Sequence, residues 1–131
     1  MSARRGAAAS RAKRGRLSRS AEFDRVFRQG RSRGNRVLVL YSFPRSPDGE
    51  PRLGLSVSRK VGGAVERNRV KRLLREAFEL ESAQVPEGQD VVLVARPEAY
   101  EVAEREGLEG IRAALSELLA EARERAEKEA R

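Results

Sequence analysis

Cysteine, histidine and tryptophan are absent from the 131 residues of this chain. Without cysteine there is no disulfide framework and no thiolate metal site. With histidine missing too, the commonest general base and the strongest side-chain nucleophile are both gone. The acids of the basic half are Glu22, Asp24, Asp48, Glu50 and Glu66, and none forms a pair at metal-ligand spacing. Glu22 and Asp24, two apart on a helix, point in different directions. A two-metal nuclease needs converging carboxylates, so the polypeptide alone is poorly equipped for hydrolysis. No apolar run approaches the roughly 20 residues that cross a bilayer. Residues 1–16 are basic and Ala-rich but lack the apolar centre of a secretory signal. The expectation is a cytoplasmic protein with no membrane partner and no protein-bound cofactor.

What the chain has in excess is positive charge, unevenly placed. Residues 1–75 hold 21 Lys/Arg against 5 Asp/Glu, whereas residues 76–131 hold 7 against 15, so the net +8 conceals a basic half and an acidic half. Such a split implies one polyanion-binding region and one ordinary solvated region. The polyanion is nucleic acid or anionic lipid. The basic half prefers Arg, whose planar fork suits phosphate and whose flat face stacks on bases. Genomic base composition accounts for part of that preference, since Arg and Ala are plentiful throughout.

Length and composition fit one domain with a modest core. Residues 1–16 read as a disordered basic arm, 17–126 as the folded αβ domain and 127–131 as a flexible tail. A first helix is expected from Ser20 to a stop at Gly30, with Phe23, Val26 and Phe27 on one face. Residues 36–43 (RVLVLYSF) read as a central strand, apolar on both faces. Residues 52–58 (RLGLSVS) read as a second strand with one small-residue face. Gly62 and Gly63 break the chain before a helix over about 65–80, whose buried stripe is Val70, Leu73, Leu74, Ala77 and Phe78. Residues 90–95 (DVVLVA) form a buried strand, so strand, helix and strand imply a parallel pair. A last helix is expected over about 108–126. The fold class is α+β, a small sheet with helices packed on it.

The informative stretch is residues 53–78, LGLSVSRKVGGAVERNRVKRLLREAF. On a helical wheel Asn68, Lys71, Arg72 and Arg75 lie opposite the apolar stripe, at i, i+3, i+4 and i+7. Arg67 and Arg69 flank the stripe, and Arg59 and Lys60 end the preceding strand. A solvated face normally mixes signs to gain i,i+4 pairs. Here seven residues from 59 to 75 are basic and Glu66 alone is acidic, a self-repulsion that a polyanion would relieve.

The run SRKVGGAVERNRVKRLLREAF closely resembles the signature of the bacterial ribonuclease P protein family, including its Arg-Asn-Arg core at Arg67, Asn68 and Arg69. The resemblance extends to RLSRSAEFDRVFRQG (residues 16–30), NRVLVLY (35–41) and DVVLVAR (90–96), in the family's order, over about residues 14–120. It implies a single-domain αβ sandwich with a small mixed sheet and a left-handed strand–helix–strand crossover, against the right-handed rule for such units. It implies that Arg59, Lys60, Arg67, Asn68, Arg69, Lys71, Arg72 and Arg75 face the catalytic RNA of ribonuclease P. It also implies a cleft for the single-stranded 5′ leader of precursor tRNA, with Phe23, Phe27, Val39 and Tyr41 at matching positions and Arg16 and Arg96 beside them. Pro97 stands where family members often carry a further basic residue. In that family the RNA is the catalyst and holds the Mg²⁺, which agrees with the missing catalytic groups.

From the residues alone, Phe23 and Phe27 are better read as core, because a chain with 4 Phe and 2 Tyr has few aromatics to spare. A structural RNA-binding protein of ribosomal-protein type explains the charge, the arm and the absent catalytic groups equally well. Only the ordered signature of residues 59–75 separates the two. A DNA-binding regulator would use Asn68 and Arg72 to read bases and would need a dimer interface; no DNA partner is expected.

Overall fold

The computed structural model describes residues 20–44, 51–85 and 88–130, so the basic arm and Arg16 lie outside the described residues. The chain runs α1 (Ser20–Gln29), β1 (Arg31–Gly34), β2 (Leu38–Pro44), β3 (Arg52–Ser56), α2 (Ala64–Leu80), a single 3₁₀ turn (Ser82–Gln84), β4 (Gln89–Ala95) and α3 (Glu98–Ala130). Four strands form one sheet in the order β1-β2-β4-β3. β2 is antiparallel to both β1 and β4, whereas β3 and β4 are parallel, joined through α2. This is the mixed sheet with flanking helices expected of the α+β class.

Strand alternation sends the two faces of the sheet to different partners. Leu38 and Leu40 of β2 and Val91, Leu93 and Ala95 of β4 enter the main core with α2 and α3. Val70, Leu73, Leu74, Ala77 and Phe78 are the buried stripe of α2, as their spacing implies. Ile111, Leu115, Leu118 and Leu119 complete that core from α3. The opposite face carries Tyr41, Phe43, Val92 and Val94, and α1 covers part of it through Val26. Val26 is fully buried, a burial that contributes about 1.5–3 kcal/mol.

Gly30 stops α1 because the chain has no room for a side chain there. A Cβ would sit 2.3 Å from the Val26 carbonyl oxygen and 2.5 Å from that of Ser42. The tight exit drops the chain into β1, an edge strand that carries no apolar alternation and was not expected. Asn35 then closes the turn into β2: its Oδ1 accepts from the Val37 and Leu38 N–H groups at 3.0 and 2.9 Å. Its Nδ2 donates to the Ala114 carbonyl at 3.0 Å, fixing the turn to α3. β2 consequently begins at Leu38, not at Arg36.

α3 departs most from expectation. It starts at Glu98 rather than near Leu108, breaks at Gly107 (φ 61, ψ −146), and continues to Ala130 through residues 127–130, where a flexible tail was expected. Ala99, Val102 and Ala103 anchor the first segment in the core. Arg31 pairs with Glu129 and Arg33 approaches Glu121 at 3.9 Å, tying the second segment to β1. The hydrogen bond from Arg31 holds the Glu129 carboxyl below its usual range.

Candidate nucleic-acid interface

The basic surface is assembled around the start of α2. β3 ends at Ser56, and the chain turns through Arg59 and Lys60, both exposed. The Val61 and Gly62 N–H groups donate to the Ser58 and Arg59 carbonyls, which rigidifies the turn. Glu66, the single acid of the stretch, is committed to capping: its Oε1 accepts the Gly63 N–H at 3.0 Å. Beyond it Asn68, Arg72 and Arg75 are exposed, and Arg67 and Lys71 are half-buried. The positive end of the helix axis and the cations of this stretch therefore share one surface.

Arg69 differs from its neighbours. It leans on α3, where its Nη2 donates to the Ala103 carbonyl at 3.4 Å, and its Nε is buried with no hydrogen-bond partner among the described residues. Beside it Tyr100 donates to Glu104 at 2.7 Å, and that carboxylate holds the phenol above its ordinary value. The structure thus groups Arg59, Lys60, Arg67, Asn68, Lys71, Arg72 and Arg75 on an open surface and places Arg69 at a helix–helix contact. Arg69 flanks the apolar stripe, as its spacing implies, and it meets α3 there because that helix begins ten residues earlier than its apolar pattern suggests.

The aromatic surface lies on the face of the sheet that α1 covers incompletely. Val26 anchors α1 over Val92 and leaves Phe27 at the margin, 38% exposed. The Phe27 ring meets Tyr41 edge to face, with centroids 4.8 Å apart and planes at 82°. Val39 and Tyr41 are half-buried on the same strand face, opposite Val94 and Val92 of β4. This corrects the core reading of Phe27: the residue of α1 that fills the core is Val26. Phe23 lies one helical turn before Phe27 on α1.

Arg96 extends the row formed by Asp90, Val92 and Val94, so it stands beyond the Val39 end of the aromatic face. It is exposed, and its guanidinium lies 3.1 Å from where a Cβ on Gly34 would be. Pro97 precedes the first residue of α3, a place where its missing N–H costs nothing. Three residues of this face were not singled out from sequence: Phe43, Val94 and Arg25. The period-two step from Tyr41 would have found Phe43, and pairing with β2 would have found Val94. The Arg25 guanidinium lies 5.5 Å from the Phe43 ring centroid, a contact that nothing local in the sequence signals. Among the described residues, no group of three or more acidic side chains is placed to hold a metal ion, and no helix is long and apolar enough to cross a membrane.

A family model described as Ribonuclease P matches residues 12–122. The ribonuclease P protein component of Bacillus pumilus is 44% identical over 90 residues, which is 69% of this chain and 76% of that protein. That of Bacillus velezensis is 45% identical over 87 residues, 66% of this chain and 74% of its own length. Among solved structures, the RNase P protein of Staphylococcus aureus superposes with a TM-score of 0.72 at 32% identity, covering 82% of this chain and 94% of that one. The RNase P protein of Thermotoga maritima also gives 0.72, at 35% identity, covering 79% and 94%.

Proposed function

Because the chain belongs to the ribonuclease P protein family, we propose that its basic and aromatic surfaces bind two different RNAs in one assembly. Family membership makes it a subunit of a ribonucleoprotein endoribonuclease, which has an RNA partner. In the proposed division of labour, Arg59, Lys60, Arg67, Asn68, Lys71, Arg72 and Arg75 lie against the catalytic RNA. Phe27, Val39 and Tyr41 receive the unpaired 5′ leader of precursor tRNA, with Phe23, Arg16 and Arg96 alongside.

The observation that carries the proposal is the pairing of exposed Phe27 with half-buried Tyr41 on a sheet face only partly covered by α1. A small core that leaves two of its aromatics accessible gives up burial energy, and unpaired bases stack on such rings for about 1–3 kcal/mol each. Duplex RNA offers no such bases, so the substrate of this face is single-stranded. Cations on the other surface offset the repulsion between two polyanions brought together. Mg²⁺ belongs to the RNA partner in this proposal, and the cytoplasm is the compartment where such an assembly meets its substrate. Hydrolysis is the RNA's task; the protein holds substrate and stabilises the RNA fold.

Reconstitution tests the proposal directly. The protein with its RNA partner and Mg²⁺ should release the leader of a precursor tRNA, and the protein alone should cleave nothing. Specific cleavage by RNA-free protein, lost when one of its acids is substituted, would refute the division of labour.

A further inference from the structure

Resting on the reading of the aromatic face as a seat for an unpaired leader, we infer that Arg25 and Phe43 form an additional RNA subsite at the far end of that face. It would take a leader nucleotide more distant from the cleavage point than those at Phe27 and Tyr41, with the base on Phe43 and the phosphate on Arg25.

The topology gives the face a direction. β3 and β4 are parallel, with Ser56 opposite Val94, so Arg59, Lys60 and Arg96 all follow the same end of the sheet. A strand of RNA anchored there and crossing Val39 and Tyr41 next meets Phe43. Val39 and Phe43 are four residues apart on one strand face, about 13 Å by strand rise. That end is marked by Asp90, which pairs with Phe43 on one side and Arg52 on the other.

At that end two guanidiniums approach one buried carboxylate unequally. Asp90 is fully buried and is held by Arg52 through two hydrogen bonds of 2.8 Å, from Nε to Oδ1 and from Nη2 to Oδ2. Arg25 approaches the same carboxylate at 3.7 Å, and its side chain is 43% exposed against 20% for Arg52. Arg25 is therefore the looser and more exposed of the two guanidiniums beside that carboxylate. Arg25 also lies over the half-buried Phe43 ring at 5.5 Å. A flat cation beside an accessible aromatic is the combination that binds single strands without sequence preference.

The test is binding of precursor tRNAs to the reconstituted holoenzyme, with leaders shortened one nucleotide at a time. Arg25→Ala should weaken binding of long-leader precursors about five-fold or more and leave mature tRNA nearly unmoved. Its effect should vanish at a longer leader length than the effect of Phe27→Ala. The slope of log affinity against log salt for long leaders should become shallower by about 0.7, one single-strand phosphate contact. Arg25→Lys should restore that slope while leaving part of the affinity loss. Asp90 keeps its two bonds from Arg52 in both variants, and Phe43→Leu, which retains an apolar side chain, should show the same leader-length threshold. Equal weakening at every leader length, or a lowered melting temperature with no leader dependence, would make Arg25 a structural partner of Asp90 and overturn the inference. Leader dependence for Phe27→Ala without any for Arg25→Ala removes the subsite alone; its absence for both removes the underlying reading as well.

Discussion

Replacing Phe27 with Ala separates a binding role from a packing role, because the two losses fall on different measurements. A buried Phe truncated to Ala costs about 3–5 kcal/mol of folding stability. Phe27 is 38% exposed, so much of its ring gains nothing from burial. An edge-to-face aromatic pair such as that with Tyr41 adds about 0.5–1.5 kcal/mol. The stability loss should therefore stay well below the buried-Phe range. If a leader base stacks at this position, binding of precursor tRNA loses about 1–3 kcal/mol, a factor of roughly five to 150. Mature tRNA lacks the leader and should bind almost as before. The assay is the ratio of precursor to mature-tRNA affinity for the holoenzyme, measured on a variant whose melting has been checked. A large fall in melting temperature with an unchanged ratio would refute the argument and return Phe27 to the core.

Charge reversal at Arg67 and Arg72 should weaken assembly with the catalytic RNA without changing the melting temperature much, which filter binding and thermal melts would check together. Arg69→Ala should behave differently: it removes the guanidinium hydrogen bond to the Ala103 carbonyl and should lower stability by about 1 kcal/mol, visible in the melt of the free protein. Affinity for the catalytic RNA should fall on the order of 10³-fold or more between about 50 and 200 mM salt if six or more phosphates are neutralised; a nearly flat log–log plot would exclude the basic half as the interface. Gly107→Ala forces a side chain onto a backbone with φ 61 and ψ −146, so it should cost about 1–3 kcal/mol although a Cβ there would meet nothing within 4 Å; an unchanged melting temperature would show that the break in α3 relaxes freely.

Periodic burial made α2 and β4 readable from residues alone. The stripe of α2 and the apolar run of β4 each belong to an element buried by strong, regular contacts. β1 was invisible for the opposite reason. Its residues, Arg31 to Gly34, offer no alternation, and they form a strand because Gly30 and Asn35 direct the chain alongside β2. The first turns of α3 were missed because few large apolar residues mark them: small Ala99 and Ala103 share them with a run of charges. On the basic surface, helical spacing placed Asn68, Arg72 and Arg75 outward, where they are exposed, but could not foresee Arg69 meeting a helix that the pattern concealed. On the aromatic face, composition pointed Phe27 inward, and only the placement of Val26 over Val92 shows why it remains at the margin. The Arg25–Phe43 contact joins two elements through tertiary packing, so no local pattern announces it.

The position of β4 in the sheet has a consequence for how the chain folds. β4 is the last strand in sequence yet lies inside the sheet, between β2 and β3. Until residues 89–95 have been made, β2 has a neighbour on one side alone and β3 has none among the described strands. A ribosome releasing this protein N-terminus first therefore exposes unpaired strand edges beside an already basic helix. Such edges invite association with other chains. Parallel pairing across a helical crossover is a non-local contact, and contacts of that kind form slowly. The basic turn that follows β3 and the aromatic face of β2 both depend on the same inserted strand, β4. A chain truncated before Ala95 should accumulate as aggregate, whatever its affinity for polyanions.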